Sequence, residues 1–257
     1  MSKSKTIAVA GATGRLGTHV VRVLKERGHQ VVAFSRSTGV DIVTGQGLAE
    51  ALAGVDLIID TASTPSPDET EAVKFFTASA ANLHAAGAQA GVERIVSVSI
   101  IGIDESTGGY NRAKVSHEKA LMAGPLPVQI LRAAQFHEFV ELLAGWGRQG
   151  DTAYLPVMRT QLVAAAVVAE ALVGLAEGPA PEQGTATAPF PEIAGPREER
   201  LAKVAELLFA ARGESVEVVE ASDPSTPDRE LMENGGLLPR PHAKLAGPTF
   251  TDWLAGA

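Results

Sequence analysis

The 257-residue chain contains no cysteine. That excludes a disulfide framework, a thiolate metal site and a cysteine nucleophile. Long apolar runs are also missing: Leu162 to Ala169, the longest strongly apolar stretch near mid-chain, stops at Glu170 and is far short of a membrane span. There is no Lys/Arg cluster, and 22 Lys and Arg against 30 Asp and Glu leave a formal charge of −8. That balance argues against a surface for nucleic-acid phosphates. No Gly-x-Ser-x-Gly elbow suggests serine hydrolysis. No His-x-x-x-His or carboxylate cluster suggests a metal, and the neighbours in His117-Glu118 and His137-Glu138 diverge by about 100° on a helix. The N-terminus, Met1 to Lys5, runs straight into a short apolar segment and is no signal peptide, so a cytoplasmic protein is expected.

What is present alternates between strand and helix patterns. Thr6 to Ala10 is an apolar run of the buried parallel-strand type, and helical spacing follows from Leu16 to Arg27. Further strands are expected at 30–34, 41–43, 56–59, 94–98 and 128–131, with helices at 48–52, 68–88 and 111–122 between them. Strands separated by helices call for a parallel sheet covered on both faces. The fold class expected is therefore α/β, a Rossmann-type doubly wound parallel sheet with a small C-terminal substrate lobe. Residues 1–134 would form the nucleotide-binding core. Residues 135–257 would form mainly the lobe, with some segments returning to the sheet. In that second part helices are expected at 136–146, 163–176 and 197–211, a Pro/Gly-rich stretch at 178–196 and a strand at 215–219. Trp146 and Trp253 are expected to pack.

The glycine loop is the strongest motif. The first strand ends in Gly11-Ala12-Thr13-Gly14-Arg15-Leu16-Gly17, and a helix begins there. Gly11 allows a tight turn, Gly14 leaves room for a pyrophosphate, and Gly17 lets the helix pack against the strand. The helix N-terminus offers free N–H groups to phosphate. After the second strand, where an acid would hold the ribose hydroxyls of NAD, the sequence reads Phe34-Ser35-Arg36-Ser37, with no acid between Gln30 and Val40. Arg36, with Arg15 from the loop, could meet a 2′-phosphate, so NADP(H) is the expected cofactor.

Tyr110-x-x-x-Lys114 places a phenol and an ammonium on one helix face, where the cation should lower the phenol's pKa. Just upstream, Ser97 and Ser99 alternate on one strand. Ser99 is nearer the carboxyl end, where ligands bind, and is expected to hold a substrate carbonyl; Ser97 is expected to be buried.

Together with Ile130 to His137, these motifs resemble the short-chain dehydrogenase/reductase superfamily, and more narrowly its NmrA-like NAD(P)-binding branch. The resemblance implies that Tyr110 is the general acid/base, that Lys114 holds the nicotinamide ribose and that Ser99 orients the substrate. It implies that Thr61, Ala62 and Ser63 border the adenosine and that Gln135, Phe136 and His137 flank the nicotinamide and substrate. Were the proton to come from elsewhere than Tyr110, His137 or a water held by Lys114 would be the next candidates. Relatives often carry Gly-Asp where this chain has Gly45-Gln46, and Gly108-Gly109 gives Tyr110 a flexible approach. The activity implied is NADPH-dependent reduction of a carbonyl or conjugated double bond in a small organic molecule. The branch also holds non-catalytic NADP(H) sensors that act through a protein partner; the Tyr-Lys pair favours the enzyme.

Overall fold

The computed structural model describes residues 4–66, 68–180 and 189–256. Part of the Pro/Gly-rich stretch at 178–196, and Met1 to Lys3 of the N-terminus, lie outside those residues. In chain order the elements are β1 (Thr6–Ala10), α1 (Arg15–Glu26), β2 (Gln30–Phe34), α2 (Leu48–Ala51), β3 (Leu57–Asp60), α3 (Glu69–Ala90), β4 (Arg94–Ile100), α4 (Gly109–Met122) and β5 (Val128–Ala133). There follow α5 (Val140–Trp146), β6 (Arg148–Gln149), β7 (Thr152–Pro156), β8 (Arg159–Thr160), α6 (Ala165–Glu177), β9 (Glu192–Ala194), β10 (Glu199–Arg200), α7 (Leu201–Ala211), β11 (Glu217–Ala221), α8 (Arg229–Glu233), β12 (Lys244–Leu245) and α9 (Phe250–Ala255). The architecture is Rossmann-type α/β. The chain divides into unit 1, Met1–Ser99, Gly109–Arg132 and Val168–Phe190, and unit 2, Ile100–Gly108, Ala133–Val167 and Pro191–Ala257.

In unit 1 the strands lie in the order β5-β4-β3-β1-β2. β1 pairs in parallel with β2 and β3, and β3 with β4. After β2 the chain crosses to the other side of β1, so the topological switch point lies between β1 and β3, where such sheets bind ligands. The strands are near-continuous apolar runs because both faces are covered: Ala8, Ala10 and Ile58 pack with Leu48, Leu52, Ala80 and Leu83 in one buried cluster. Asp68 caps α3, its Oδ1 accepting the Glu71 N–H at 2.9 Å. Arg94, at the start of β4, is buried because its guanidinium donates to the α6-terminal carbonyls of Ala176 and Gly178, at 2.7 and 2.8 Å.

One expected strand is absent. Residues 41–43 form a turn in which Asp41 Oδ1 accepts the N–H groups of Val43 and Thr44, at 2.8 and 3.3 Å. Asn82 Nδ2 donates to Ile42 O and Val43 O, at 3.0 and 2.7 Å, which satisfies the carbonyls a neighbouring strand would have taken.

In unit 2, β7 pairs in parallel with β11 and antiparallel with β6, β8 with β10 antiparallel, and β9 with β12 in parallel. α7 packs on β7, β11 and α5 through Leu201, Val204, Leu208 and Phe209. Residues 199–200 are a strand rather than the start of α7, and His137–Phe139 form a 3-10 turn before α5. Trp146 is 60% exposed, touching Phe139 edge-on, against the expectation that it packs: it is the last residue of α5.

Candidate active site

The carboxyl ends of four strands in unit 1 bring the expected residues into order. Gly11 follows β1 at φ +73°, and a Cβ there would lie 2.8 Å from Ala62 Cα, so the position needs glycine for its conformation and for the close loop after β3. The N–H groups of Gly11 and Ala12 both donate to Phe34 O, at 3.1 and 3.3 Å, tying the loop to the end of β2. Gly17 is buried in the first turn of α1, where a Cβ would stand 2.2 Å from Gly11 O. Gly14 differs: it is exposed, has φ −77° and ψ 170°, and a Cβ would meet only Gly11 O, at 3.2 Å. The Thr18 N–H makes the first helical bond, to Gly14 O at 3.1 Å, so the N–H groups of Arg15, Leu16 and Gly17 stand free of it at the positive end of α1. Thr13 and Arg15 are exposed beside them and Leu16 is buried. This run of free N–H donors at a helix N-terminus, with no side chain at Gly14, suits a pyrophosphate.

At the end of β2 the Ser35 N–H donates to Thr38 Oγ1 at 2.9 Å, and the Ser35 and Ser37 hydroxyls are 2.8 Å apart. Arg36 is exposed, and among the described residues no carboxylate pairs with it or with Arg15. At the end of β3, Thr61 Oγ1 donates to Ala10 O at 2.7 Å, the Ala62 N–H donates to Asp60 Oδ1 at 3.0 Å, and Ser63 is exposed.

Ser99 on β4 is 4% exposed, and its Oγ has no hydrogen-bond partner among the described residues. Ser97 is buried, and its hydroxyl donates to Asp60 Oδ2 at 3.3 Å. Tyr110, half-buried, opens α4 with its hydroxyl 2.8 Å from Ser63 Oγ and its ring edge-on to Phe76. The glycine approach to it is fixed, because the Gly109 N–H donates to Glu69 Oε2 at 2.8 Å.

Lys114 does not act on the phenol in the way its spacing suggests. Its Nζ donates to Val98 O and His117 Nδ1, both at 2.9 Å, and lies 4.6 Å from the Phe76 ring centroid. Burial pushes the Tyr110 pKa up, against the Ser63 hydrogen bond, and the charge of Asp60 adds to the rise. The expected lowering is thereby corrected: the phenol stays protonated.

Three groups take a place here that the sequence reading does not give them, His117 and Glu118 being weighed there only as a metal pair. Asp60 is 1% exposed, and His117 Nε2 lies 3.3 Å from its Oδ2. Burial opposes the charge of Asp60, yet the contact with His117 and the nearby Lys114 hold its pKa below the usual carboxylate range. Glu118 takes a buried fork from Arg132, Nε to Oε1 at 3.0 Å and Nη2 to Oε2 at 2.8 Å. The available signal was the spacing of three and four residues from Lys114 to His117 and Glu118. No group of three or more His, Asp or Glu among the described residues could hold a metal, and no described helix is long and apolar enough to cross a membrane.

In unit 2, Gln135 Oε1 accepts from Thr160 Oγ1 at 2.8 Å, and Phe136 is half-buried. His137 is 1% exposed, its Nε2 3.2 Å from Leu162 O and its ring 5.3 Å from both Phe250 and Trp253. Burial pushes its pKa down to about 4. It is a neutral core histidine with no proton to give near neutrality, which corrects its place as a reserve donor.

A family profile described as NAD(P)H-binding matches residues 11–177. The chain belongs to this NAD(P)H-binding family. The matched span holds the glycine cradle, Arg36, Ser99, Tyr110 and Lys114. A 3-beta-hydroxysteroid dehydrogenase of Mycolicibacterium neoaurum is 34% identical over 111 residues, 35% of this chain and 30% of that enzyme. The chain thus matches under a third of that relative's length. The UDP-N-acetylglucosamine 4-epimerase of Bacillus cereus shares the fold at a TM-score of 0.70 and 20% identity, over 98% of this chain and 95% of that one. A dTDP-4-dehydrorhamnose reductase of Bacillus anthracis, in complex with NADP, does so at 0.68 and 16%, over 99% and 98%. At such identities the likeness is one of fold. The NAD(P)H-binding assignment agrees with the geometry of the cradle, whose free N–H groups and absent Gly14 side chain fit a dinucleotide.

Proposed function

We propose that this protein is a reductase that uses NADPH to reduce a carbonyl, or a conjugated double bond, of a small uncharged organic substrate, as a catalytic member of the NmrA-like branch. The observation that carries the reading is Ser99 Oγ. It is a buried hydroxyl without a partner among the described residues, on the strand that precedes the helix of Tyr110 and Lys114. Leaving such a group unsatisfied costs about 1–3 kcal/mol, and a substrate oxygen would satisfy it.

NADPH, when bound, supplies the hydride. The chain's own residues do the rest. The α1 N-terminus and Gly14 receive the pyrophosphate, and Arg36 and Arg15, free of carboxylates among the described residues, receive the 2′-phosphate. Thr61 to Ser63 border the adenosine. Lys114 holds the nicotinamide ribose. Ser99 donates to the substrate oxygen on which charge develops. Tyr110, kept protonated by burial, gives its proton to the same oxygen. The exposed Ser63 hydroxyl, 2.8 Å from the phenol oxygen, can return a proton from solvent.

The charge balance supports an uncharged substrate. Unit 2, read as the substrate lobe, has 17 Asp and Glu against 9 Lys and Arg, a difference of −8 equal to that of the whole chain. Each of its seven arginines meets a carboxylate: Arg148, Arg159, Arg197, Arg200, Arg212, Arg229 and Arg240. A phosphorylated substrate would find repulsion there and would have to displace those carboxylates.

The test is NADPH consumption over a panel of ketones, quinones and enones, for the wild type and Tyr110→Phe. The expected result is turnover that Tyr110→Phe cuts by about 10²–10⁴, with NADPH affinity kept. Full activity in Tyr110→Phe would remove Tyr110 as the acid. Tight NADPH binding without turnover on any compound would favour a sensor.

A further inference from the structure

We propose that Asp60 and His117 are positioning residues for Lys114, which they hold so that one of its three N–H donors remains for the cofactor ribose. The inference rests on the NADP(H) reading of this site.

Lys114 and His117 stand three residues apart on α4, hence on one face. Asp60 ends β3. All three are buried, at 4%, 1% and 1% exposure, so their mutual arrangement is set by packing and not by solvent. An ammonium donates only, so His117 Nδ1 must be the acceptor in the 2.9 Å contact. The imidazole is neutral, since burial and then Lys114 lower its pKa, and its proton therefore sits on Nε2. Asp60 Oδ2 lies 3.3 Å from Nε2, an ion-pair distance whose angle falls short of a hydrogen bond. The row reads carboxylate, neutral imidazole, ammonium.

Two of the three Lys114 N–H groups are committed, to Val98 O and His117 Nδ1. The groups that face the ammonium can be named element by element. β3 presents Asp60, β4 the Val98 carbonyl, and α3 the Phe76 ring. α4 itself presents His117 and Glu118, with Tyr110 one turn earlier. Glu118 is engaged by Arg132 of β5, which leaves Asp60 as the carboxylate that balances Lys114. Burial pushes the Lys114 pKa down to about 8, against the pull of Asp60 and then Glu118. Removing the Asp60 charge should carry it lower still and cost the ammonium its proton near neutrality.

The experiment is calorimetric titration of the protein with NADPH between about pH 6 and 9. In the wild type, affinity should fall roughly tenfold or more as pH rises through about 8, where the charged bond to the ribose is lost. In Asp60→Asn the fall should move to lower pH by about one unit. His117→Gln, whose amide oxygen can accept from Lys114, should retain more affinity than His117→Leu. Lys114→Met should bind weakly and without this pH dependence. A fall at the same pH in folded Asp60→Asn and wild type would overturn the proposal. Should Asp60→Asn fail to fold, 15N NMR of His117 in the wild type decides: a proton on Nε2 and a bare Nδ1 at neutral pH support it, while a protonated Nδ1 overturns it. Absence of NADPH binding by the wild type would instead sink the cofactor reading, with the NMR still reporting on the Lys114–His117–Asp60 row.

Discussion

Two glycines within seven residues of the first strand should separate stability from binding. In Gly14→Val the new side chain leaves from a backbone at φ −77°, which an L residue adopts, and its Cβ has one neighbour, Gly11 O at 3.2 Å. Thermal unfolding should therefore move little, about 1 kcal/mol at most, or a shift of about 2–4 °C for a chain of this size. The side chain fills the space where a pyrophosphate would approach the α1 N–H groups. Losing two charge-assisted hydrogen bonds at about 1.5–3 kcal/mol each weakens NADPH binding by at least about 100-fold. Gly17→Ala should behave in the opposite sense. Its Cβ would stand 2.2 Å from Gly11 O and 2.9 Å from Ala12 Cα, both backbone atoms that cannot swing away. Overpacking of that kind costs about 1–3 kcal/mol, offset by up to about 1 kcal/mol of helix propensity. The assays are calorimetric titration with NADPH and differential scanning calorimetry of both variants. Undiminished binding by Gly14→Val would refute the assignment of the cradle. A Gly17→Ala protein as stable as the wild type would refute the packing argument.

Arg36→Asp should reverse the preference for NADPH over NADH, because a carboxylate repels the 2′-phosphate and accepts from ribose hydroxyls; equal dissociation constants for NADPH and NADH in the wild type would count against the role of Arg36. Of two ketones that differ only by a phosphate ester, the uncharged one should have the higher kcat/KM, and the gap should narrow at high salt; a preference for the phosphate ester would reverse the substrate reading. His137 is neutral when folded, with a pKa of about 4, whereas the unfolded chain binds its proton near 6.5. Its contribution is therefore full above about pH 6.5 and is lost as pH falls towards 4, with a slope of up to about 1.4 kcal/mol per pH unit. Urea unfolding of His137→Gln should show a flatter pH dependence over that window, and an unchanged slope would remove His137 as the cause.

The parts of this molecule that could be read from the sequence are those decided within a few residues. Thr6 to Ala10 is apolar throughout and ends at a glycine, and Gly11 to Gly17 sit between that strand and an amphipathic helix, so strand, turn and helix all follow from neighbours in the chain. The segment 41–43 has strand composition, but its fate is decided by Asp41 Oδ1 closing a turn and by Asn82, some forty residues on, taking two carbonyls. His137 stands beside a recognisable motif, yet Phe250 and Trp253, over a hundred residues later, make it a core residue. Tyr110 and Lys114 show the same division most sharply. Their spacing of four correctly places both on one helix face, and a cation near a phenol should lower its pKa. Which acceptors claim the ammonium is a tertiary matter, however. Val98 O comes from β4, and His117 Nδ1 accepts with Asp60, fifty-four residues before Lys114, 3.3 Å from its other nitrogen. With those bonds made, burial dominates the phenol and raises its pKa. A raised pKa keeps the phenol protonated but makes it a weaker acid than one poised near the working pH, so the acid role proposed for Tyr110 has to rest on the charge that develops on the substrate oxygen.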